Sequence, residues 1–481
     1  MVKCGSPRMK KHFSILLILW LLATNLVAQN ALYRIEHYSV DDGLSQGSAN
    51  CIYQDRKGFI WIGTQDGLNK FDGYKFTTYQ HNPLDTNSIS ANWIYGIDED
   101  DNGIIWIATQ NGLNALNPQT NIFKHYYTDK QYSFNNEEIF NVLVGSDGFI
   151  WFKSSHYLYK LDTLTNNISV FEHALDYFVN NKSDNGFPMV EDAESIWIGS
   201  ANGLFQFIKK MEVFKPYKNI PEDPNSLSNN FVSSISIDEK GNIWIGTGNG
   251  LNKFDKKKNR FIRYFADAKN PNQGPIGNNI NALCNGKNGT LWIGTFGSGL
   301  SCFDPFTNQF YHYKHEEGDE KTIYYDYILS LYEDRTLNLW IGYDANGLDK
   351  IDLKPQKYKT YQTSKGENGL HLNSDNIASI FLENDSILWI GTWENGLNIL
   401  NRNNYSVKSI TTTSQNQHIV GNNVHSIFAD SHGLIWIGTK SGISIYDRKN
   451  KTFNDLDAYF NLTLNIKLKG VRIYNISEDY K

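Results

Sequence analysis

Aspartates placed at a fixed distance before tryptophans are the first residues in this chain that could do chemistry. Asp55 stands six residues before Trp61, Asp238 six before Trp244 and Asp430 six before Trp436. A single carboxylate beside an aromatic wall would be a candidate acid or base. A carboxylate that recurs in register is a turn residue, because aspartate bonds the backbone of its own hairpin. Asp98-Glu99-Asp100-Asp101-Asn102-Gly103 could attract a cation, but it lacks the spaced ligands of a calcium loop and reads as an acidic turn. His37, His125, His156, His312 and His315 form no i, i+4 pair on a helix, and the odd spacing of His312 and His315 on a strand points them to opposite faces. Past the leader the cysteines are Cys51, Cys284 and Cys302. A chain stapled by disulfides would use more, in even number, so these read as small buried residues. No catalytic residue, metal ligand or cofactor site is assigned.

The elements that would position such groups follow from the tryptophans. Trp61, Trp106, Trp151, Trp197, Trp244, Trp292, Trp340, Trp389 and Trp436 are separated by 45, 45, 46, 47, 48, 48, 49 and 47 residues. That period is the mark of a blade-by-blade array. Ile243-Trp244-Ile245 is apolar on both faces and suits a strand buried on both sides. Val232 to Ile237 alternates and turns through Asp238-Glu239-Lys240-Gly241 into the tryptophan strand. Asn249-Gly250 supplies left-handed residues for the next hairpin, Leu251 to Phe254 returns, and Phe261 and Tyr264 mark a fourth strand. Four antiparallel strands per unit make one propeller blade. Gly246 lets the next blade approach closely.

Residues 1–28 read as a signal peptide. Lys10, Lys11 and His12 precede an apolar run from Phe13 to Ala23, too short to span a membrane, and Leu26-Val27-Ala28 is a plausible cleavage site. Met9-Lys10-Lys11 is a more typical beginning than the eight residues before it, which makes Met9 a candidate start beside Met1. The net charge is −6, and the mature chain has no basic cluster, which argues against direct nucleic acid binding. Ile35 and Tyr38 share the spacing of the outer strands at Phe76/Tyr79, Phe123/Tyr126 and Phe261/Tyr264. The chain thus begins with a fourth strand that lacks its blade. A ring can use that strand to complete its last blade and remove an open edge. The expected fold is therefore all-β. Residues 29–353 form a seven-bladed β-propeller of four-stranded antiparallel blades closed by residues 33–38, with six or eight blades left open. Residues 354–481 form the first blades of a second, truncated and less stable propeller. Val471 to Asp479 repeats the first-strand pattern and stops short of its tryptophan, as a fragment of a longer protein would.

The unit resembles the two-component regulator propeller repeat. Asn423, Val424, Ser426, Ile427, Asp430, Gly433, Ile435, Trp436, Ile437, Gly438, Thr439 and Gly442 match it, with Ile443 in place of leucine, and Trp-Ile-Gly-Thr is complete in five units. The third unit departs most, with Trp151-Phe152-Lys153-Ser154 and Tyr157-Leu158. The resemblance implies paired seven-bladed rings in the periplasmic half of a hybrid sensor histidine kinase. It further implies an oligosaccharide ligand, a homodimeric full-length receptor and an inner-membrane anchor and kinase downstream of this chain. The aspartate turn also resembles the Asp-box hairpin of sialidases, but with the aspartate one residue further from the tryptophan. The adjacent cysteines of a quinoprotein propeller are missing. A secreted glycan-active enzyme stays open as the alternative, and a protein-binding scaffold as a weaker one.

A ligand would meet the inner strands at their entry ends. Thirteen residues before the first seven tryptophans stand Ser48, Trp93, Glu138, Asp184, Phe231, Asn279 and Tyr327, with Asn376 and Asn423 in the later units. Trp93, Phe231 and Tyr327 break the polar pattern, and so do Phe296 and Tyr343 in the neighbouring hairpins, each beside an inserted residue. Aromatic faces stack on the apolar C–H surface of sugars. These five are the expected border of a carbohydrate-binding mouth; ordinary packing between blades is the competing reading.

Overall fold

The computed structural model describes residues 33–126, 137–172, 187–319, 321–354, 372–404, 406–415, 417–460 and 468–479. The leader, Cys4, Asp184, Pro355 and the expected outer strand from Tyr358 to Tyr361 lie outside these residues. Among the described residues are nine four-stranded antiparallel sheets and one short α-helix, Leu456–Phe460. No helix among them is long and apolar enough to cross a membrane. The chain divides into two compact units, residues 1–356 and residues 357–481.

The Trp244 sheet shows the plan. Its strands are Val232–Ile237, Ile243–Thr247, Gly250–Asp255 and Arg260–Tyr264, hydrogen-bonded in that order. Every residue of the tryptophan strand is buried, as a strand covered on both faces requires. A Cβ on Gly246 would stand 2.6 Å from the Ile280 side chain of the next sheet, so only glycine fits there. In the hairpin, Gly250 alone is left-handed, at φ +108°; Asn249 is not. The Thr247 hydroxyl does the remaining work, accepting from Asn249 N–H at 3.2 Å and donating to Gly250 C=O at 2.8 Å. The divergent third hairpin closes as well, with Ser154 N–H donating to Tyr157 C=O at 3.0 Å and no left-handed residue.

The recurring carboxylates turn out to hold indoles. Asp55 accepts the Trp61 indole N–H at 2.9 Å, Asp100 that of Trp106 at 3.0 Å and Asp334 that of Trp340 at 3.0 Å. Asp192, Asp238 and Asp430 do the same, and Glu383 substitutes for aspartate beneath Trp389. Burial opposes ionisation of Asp334, but bonds from Asn338, Trp340 and Thr336 outweigh it and hold the carboxyl below its usual range.

In the first unit, seven sheets carry Trp61 through Trp340. Apolar clusters join neighbours, such as Trp61 with Ile94 and Ile107, and Trp244 with Ile280 and Ile293. The Trp340 sheet consists of Ile328–Glu333, Asn338–Tyr343, Leu348–Asp352 and, as its fourth strand, Arg34–Tyr38. Ile35 pairs with Ile351 and Tyr38 with Leu348. Trp340 and Leu348 then share a cluster with Ile52, Ile62 and Phe71 of the Trp61 sheet, and Ser330 Oγ donates to Ala49 C=O at 2.7 Å across that joint. In the second unit the Trp389 and Trp436 sheets share one cluster. Val471 to Asp479 forms no strand; Ile473 N–H donates to Thr439 C=O at 2.9 Å beside the Trp436 sheet.

Candidate functional site

Three residues of the column thirteen before the tryptophans lie against the hairpin of their own sheet. Trp93 C=O accepts from Gln110 N–H at 3.1 Å, Phe231 C=O from Gly248 N–H at 2.9 Å and Tyr327 C=O from Asp344 N–H at 3.1 Å. These bonds fix the three backbones at the entry ends of the inner strands. Their side chains fall into two groups.

Trp93 and Phe231 are the ends of an aromatic arc. Trp93 stacks on Tyr95 with centroids 6.0 Å apart, and Tyr95 meets Phe140 at 5.2 Å. Lys153 Nζ lies 5.8 Å from the Phe140 ring and 5.3 Å from that of Phe187, which meets Phe231 at 5.9 Å. Lys153 takes the place that glycine or alanine holds in the other sheets, and burial pushes its amine down to about 7. The Trp93 indole N–H is buried and has no hydrogen-bond partner among the described residues. A polar cleft of about 490 Å³ adjoins Trp93, lined by His81, Ser90, Asn92, Gln110, Asn111 and Glu138.

The second group joins Phe296 and Tyr327, which bridge through their backbones and meet edge to face at 5.0 Å. Both are well exposed, at 41% and 38%. Tyr327 also stacks on Tyr325 at 5.1 Å. Tyr343 does not belong to a mouth. It closes its strand in the slot that threonine holds in Trp-Ile-Gly-Thr and is fully buried. Its hydroxyl donates to Asp349 at 2.6 Å, so it has neither a face nor a polar tip to offer a ligand.

Sequence reasoning missed Tyr95, Phe140 and Phe187. Tyr95 stands two residues beyond Trp93, on the same side of an extended chain, and that spacing was the available signal. It also missed a buried polar triad. Ser45, Thr64 and Asn69 interlock, as do Ser90, Thr109 and Asn114, and Ser228, Thr247 and Asn252, with Ser Oγ to Thr Oγ1 distances of 2.9, 3.0 and 3.0 Å.

The other candidates serve the fold. In the acidic turn, Glu99 accepts Arg56 N–H at 2.7 Å, Asp100 holds Trp106, and Asp98 accepts Val144 N–H at 2.7 Å. Burial pushes the Asp98 carboxyl up to about 6. His312 lies 3.0 Å from Ser301 Oγ and 2.8 Å from Pro271 C=O, and His315 lies 3.0 Å from Ile323 C=O. Cys51, Cys284 and Cys302 are free thiols that burial pushes up to about 12; Cys302 is buried and the other two half-buried.

The two component regulator propeller family matches residues 43–66, 88–111, 226–249, 274–297 and 418–441. Histidine kinase P4 of Formosa agariphila is 49% identical over 78 residues, 16% of this chain and 6% of that protein. Among solved structures, the extracellular domain assigned to the hybrid two component system BT3049 of B. thetaiotaomicron is 25% identical at a TM-score of 0.61, over 87% of this chain and 54% of that one. The extracellular domain of BT4673 from the same organism shares the fold at 21% identity and a TM-score of 0.52, over 88% of this chain and 53% of that one. The chain spans about half the length of these structures. Five segments of the chain thus match the two-component regulator propeller repeat, each in register on a four-stranded antiparallel sheet.

Proposed function

We propose that this chain is the ligand-sensing periplasmic region of a hybrid two-component sensor histidine kinase, exported by residues 1–28. In this reading the Trp61 to Trp340 sheets are one seven-bladed ring, spanning residues 29–353. Residues 354–481 begin a second ring. The apolar cluster and the Ser330–Ala49 bond between the Trp340 and Trp61 sheets support the ring. The likeness to extracellular domains of two component systems supports a sensor. Catalysis belongs to a kinase outside these residues, and the full receptor works as a homodimer.

The ligand is an oligosaccharide derived from a glycan, bound at the mouth of the first ring. One observation supports this: the arc from Trp93 to Phe231 begins beside a polar cleft that includes Asn92, next to Trp93 in the chain, and Gln110, whose N–H donates to Trp93 C=O. Thermal shift of the whole chain across a glycan panel tests it, because a ligand that binds only the folded state raises its melting point. A glycan that stabilises the wild type should lose that effect in Trp93→Ala with Tyr327→Ala. An unchanged shift in the double variant places the site elsewhere. Turnover of the glycan by the purified chain would make it an enzyme instead.

A further inference from the structure

We propose that the second unit has a binding site of its own, for an acidic saccharide, built from Trp393, His425, Arg472 and Tyr474. The saccharide class rests on the preceding reading; the location does not. Three successive repeats contribute one ring each. Trp393 tips a hairpin lengthened by one residue, with Thr392 N–H donating to Gly396 C=O at 3.0 Å. Its ring meets His425 edge to face at 5.0 Å, and His425 meets Tyr474 at 5.3 Å. Trp393, at the tip of its hairpin, is 48% exposed, so one large apolar face is open to solvent beside a partly covered imidazole.

The polar groups around these rings favour an anion. Arg472 stands thirteen residues before where the next repeat's tryptophan would fall, in the column that Asn376 and Asn423 hold in the two units before it. Its guanidinium lies 5.7 Å from the Tyr474 ring and donates to the Tyr474 hydroxyl at 2.8 Å, which leaves most of the fork unengaged. Burial lowers the His425 pKa, and the charges of Arg472 and Lys440 lower it further. Both of those charges are positive; the exposed Glu394 sits in the Trp393 hairpin. The His425 Nε2 atom is buried without a hydrogen-bond partner among the described residues. A sugar ring laid on Trp393 would bury its C–H face, while its carboxylate or sulfate meets the Arg472 fork.

Calorimetric titration of the 481-residue chain tests this with three probes: oligogalacturonate, a sulfated carrageenan oligosaccharide and neutral cello-oligosaccharide. At least one acidic probe should bind, more weakly as salt rises, and the two arms separate carboxylate from sulfate recognition. Arg472→Ala and Trp393→Ala should each weaken that binding at least ~10-fold, with the melting temperature unchanged because both side chains are exposed. Trp93→Ala with Tyr327→Ala should leave it intact. The proposal is overturned if neither acidic probe binds, if the neutral probe binds as tightly, or if the second-unit variants bind like the wild type. Loss of acidic binding only in the Trp93 and Tyr327 variant also overturns it. Loss of neutral-glycan binding in that variant concerns the first unit alone.

Discussion

His37 Nδ1 and Asp349 Oδ1 lie 2.8 Å apart, although 312 residues separate them in the chain. Asp349 is fully buried and also accepts from the Tyr343 hydroxyl at 2.6 Å and Tyr324 N–H at 2.9 Å. The N-terminal strand is thus tied to the Trp340 sheet by side chains as well as by its ladder. Deleting residues 33–38 would bare the edge of Leu348–Asp352 and take the His37 partner from Asp349 Oδ1. Calorimetry should show the melting temperature of the first unit falling by ~5 °C or more. A melt that does not move would mean the strand is ornamental.

Asp334→Ala removes five bonds at once: those from Trp340 Nε1, Asn338 Nδ2, Thr336 Oγ1 and the N–H groups of Thr336 and Asn338. Orphaning a buried donor costs about 1–3 kcal/mol, so urea unfolding should show at least that loss. Asp334→Asn keeps an acceptor and should cost less.

Asp98 gives a pH signature. Its folded pKa, about 6, lies above the ordinary 3.8. The ionised form is therefore penalised in the fold. The penalty is complete above pH ~6 and is relieved as pH falls toward 3.8. Asp98→Asn should stabilise the protein at pH 7.5 by at most about 3 kcal/mol, and the gain should vanish near pH 4. Denaturant titrations at the two pH values check this; a gain equal at both would assign it to packing.

Lys153 runs the opposite way. Burial pushes its amine down to about 7, so the charged form is penalised below that pH and the penalty fades as pH rises toward the ordinary lysine value. Lys153→Met should raise the melting temperature at pH 6 more than at pH 9. A constant difference would mean that the ammonium is not what the fold opposes.

The repeat was legible because a strand buried on both faces has an unmistakable apolar core, and nine such strands recur in register. The aspartate was legible as a turn residue, but its indole partner was not: the bond from Asp55 to Trp61 exists only once the hairpin folds back. Tyr343 was misplaced because an inserted residue follows it and it was counted with the hairpin; the ladder pairs it with Ile328, inside the sheet. The Ser45, Thr64 and Asn69 triad escaped because its members come from three segments that only packing brings together.

At several joints the last residue of one sheet's first strand grips a backbone N–H in the turn of the sheet before it. Glu99 takes Arg56 N–H, Glu191 takes Ser146 N–H, Glu333 takes Lys287 N–H and Gln54 takes Arg335 N–H, at 2.7 to 2.9 Å; in the second unit Glu478, in a segment that forms no strand, takes Ser431 N–H at 3.0 Å. The bond common to all five joints is to main chain, which any neighbour can supply, although Ser146, Ser431 and Trp292 add side-chain bonds to Glu191, Glu478 and Glu333. Gene duplication could therefore add or transplant a module without redesigning either flank, leaving the exposed tips of each copy free to diverge toward new ligands.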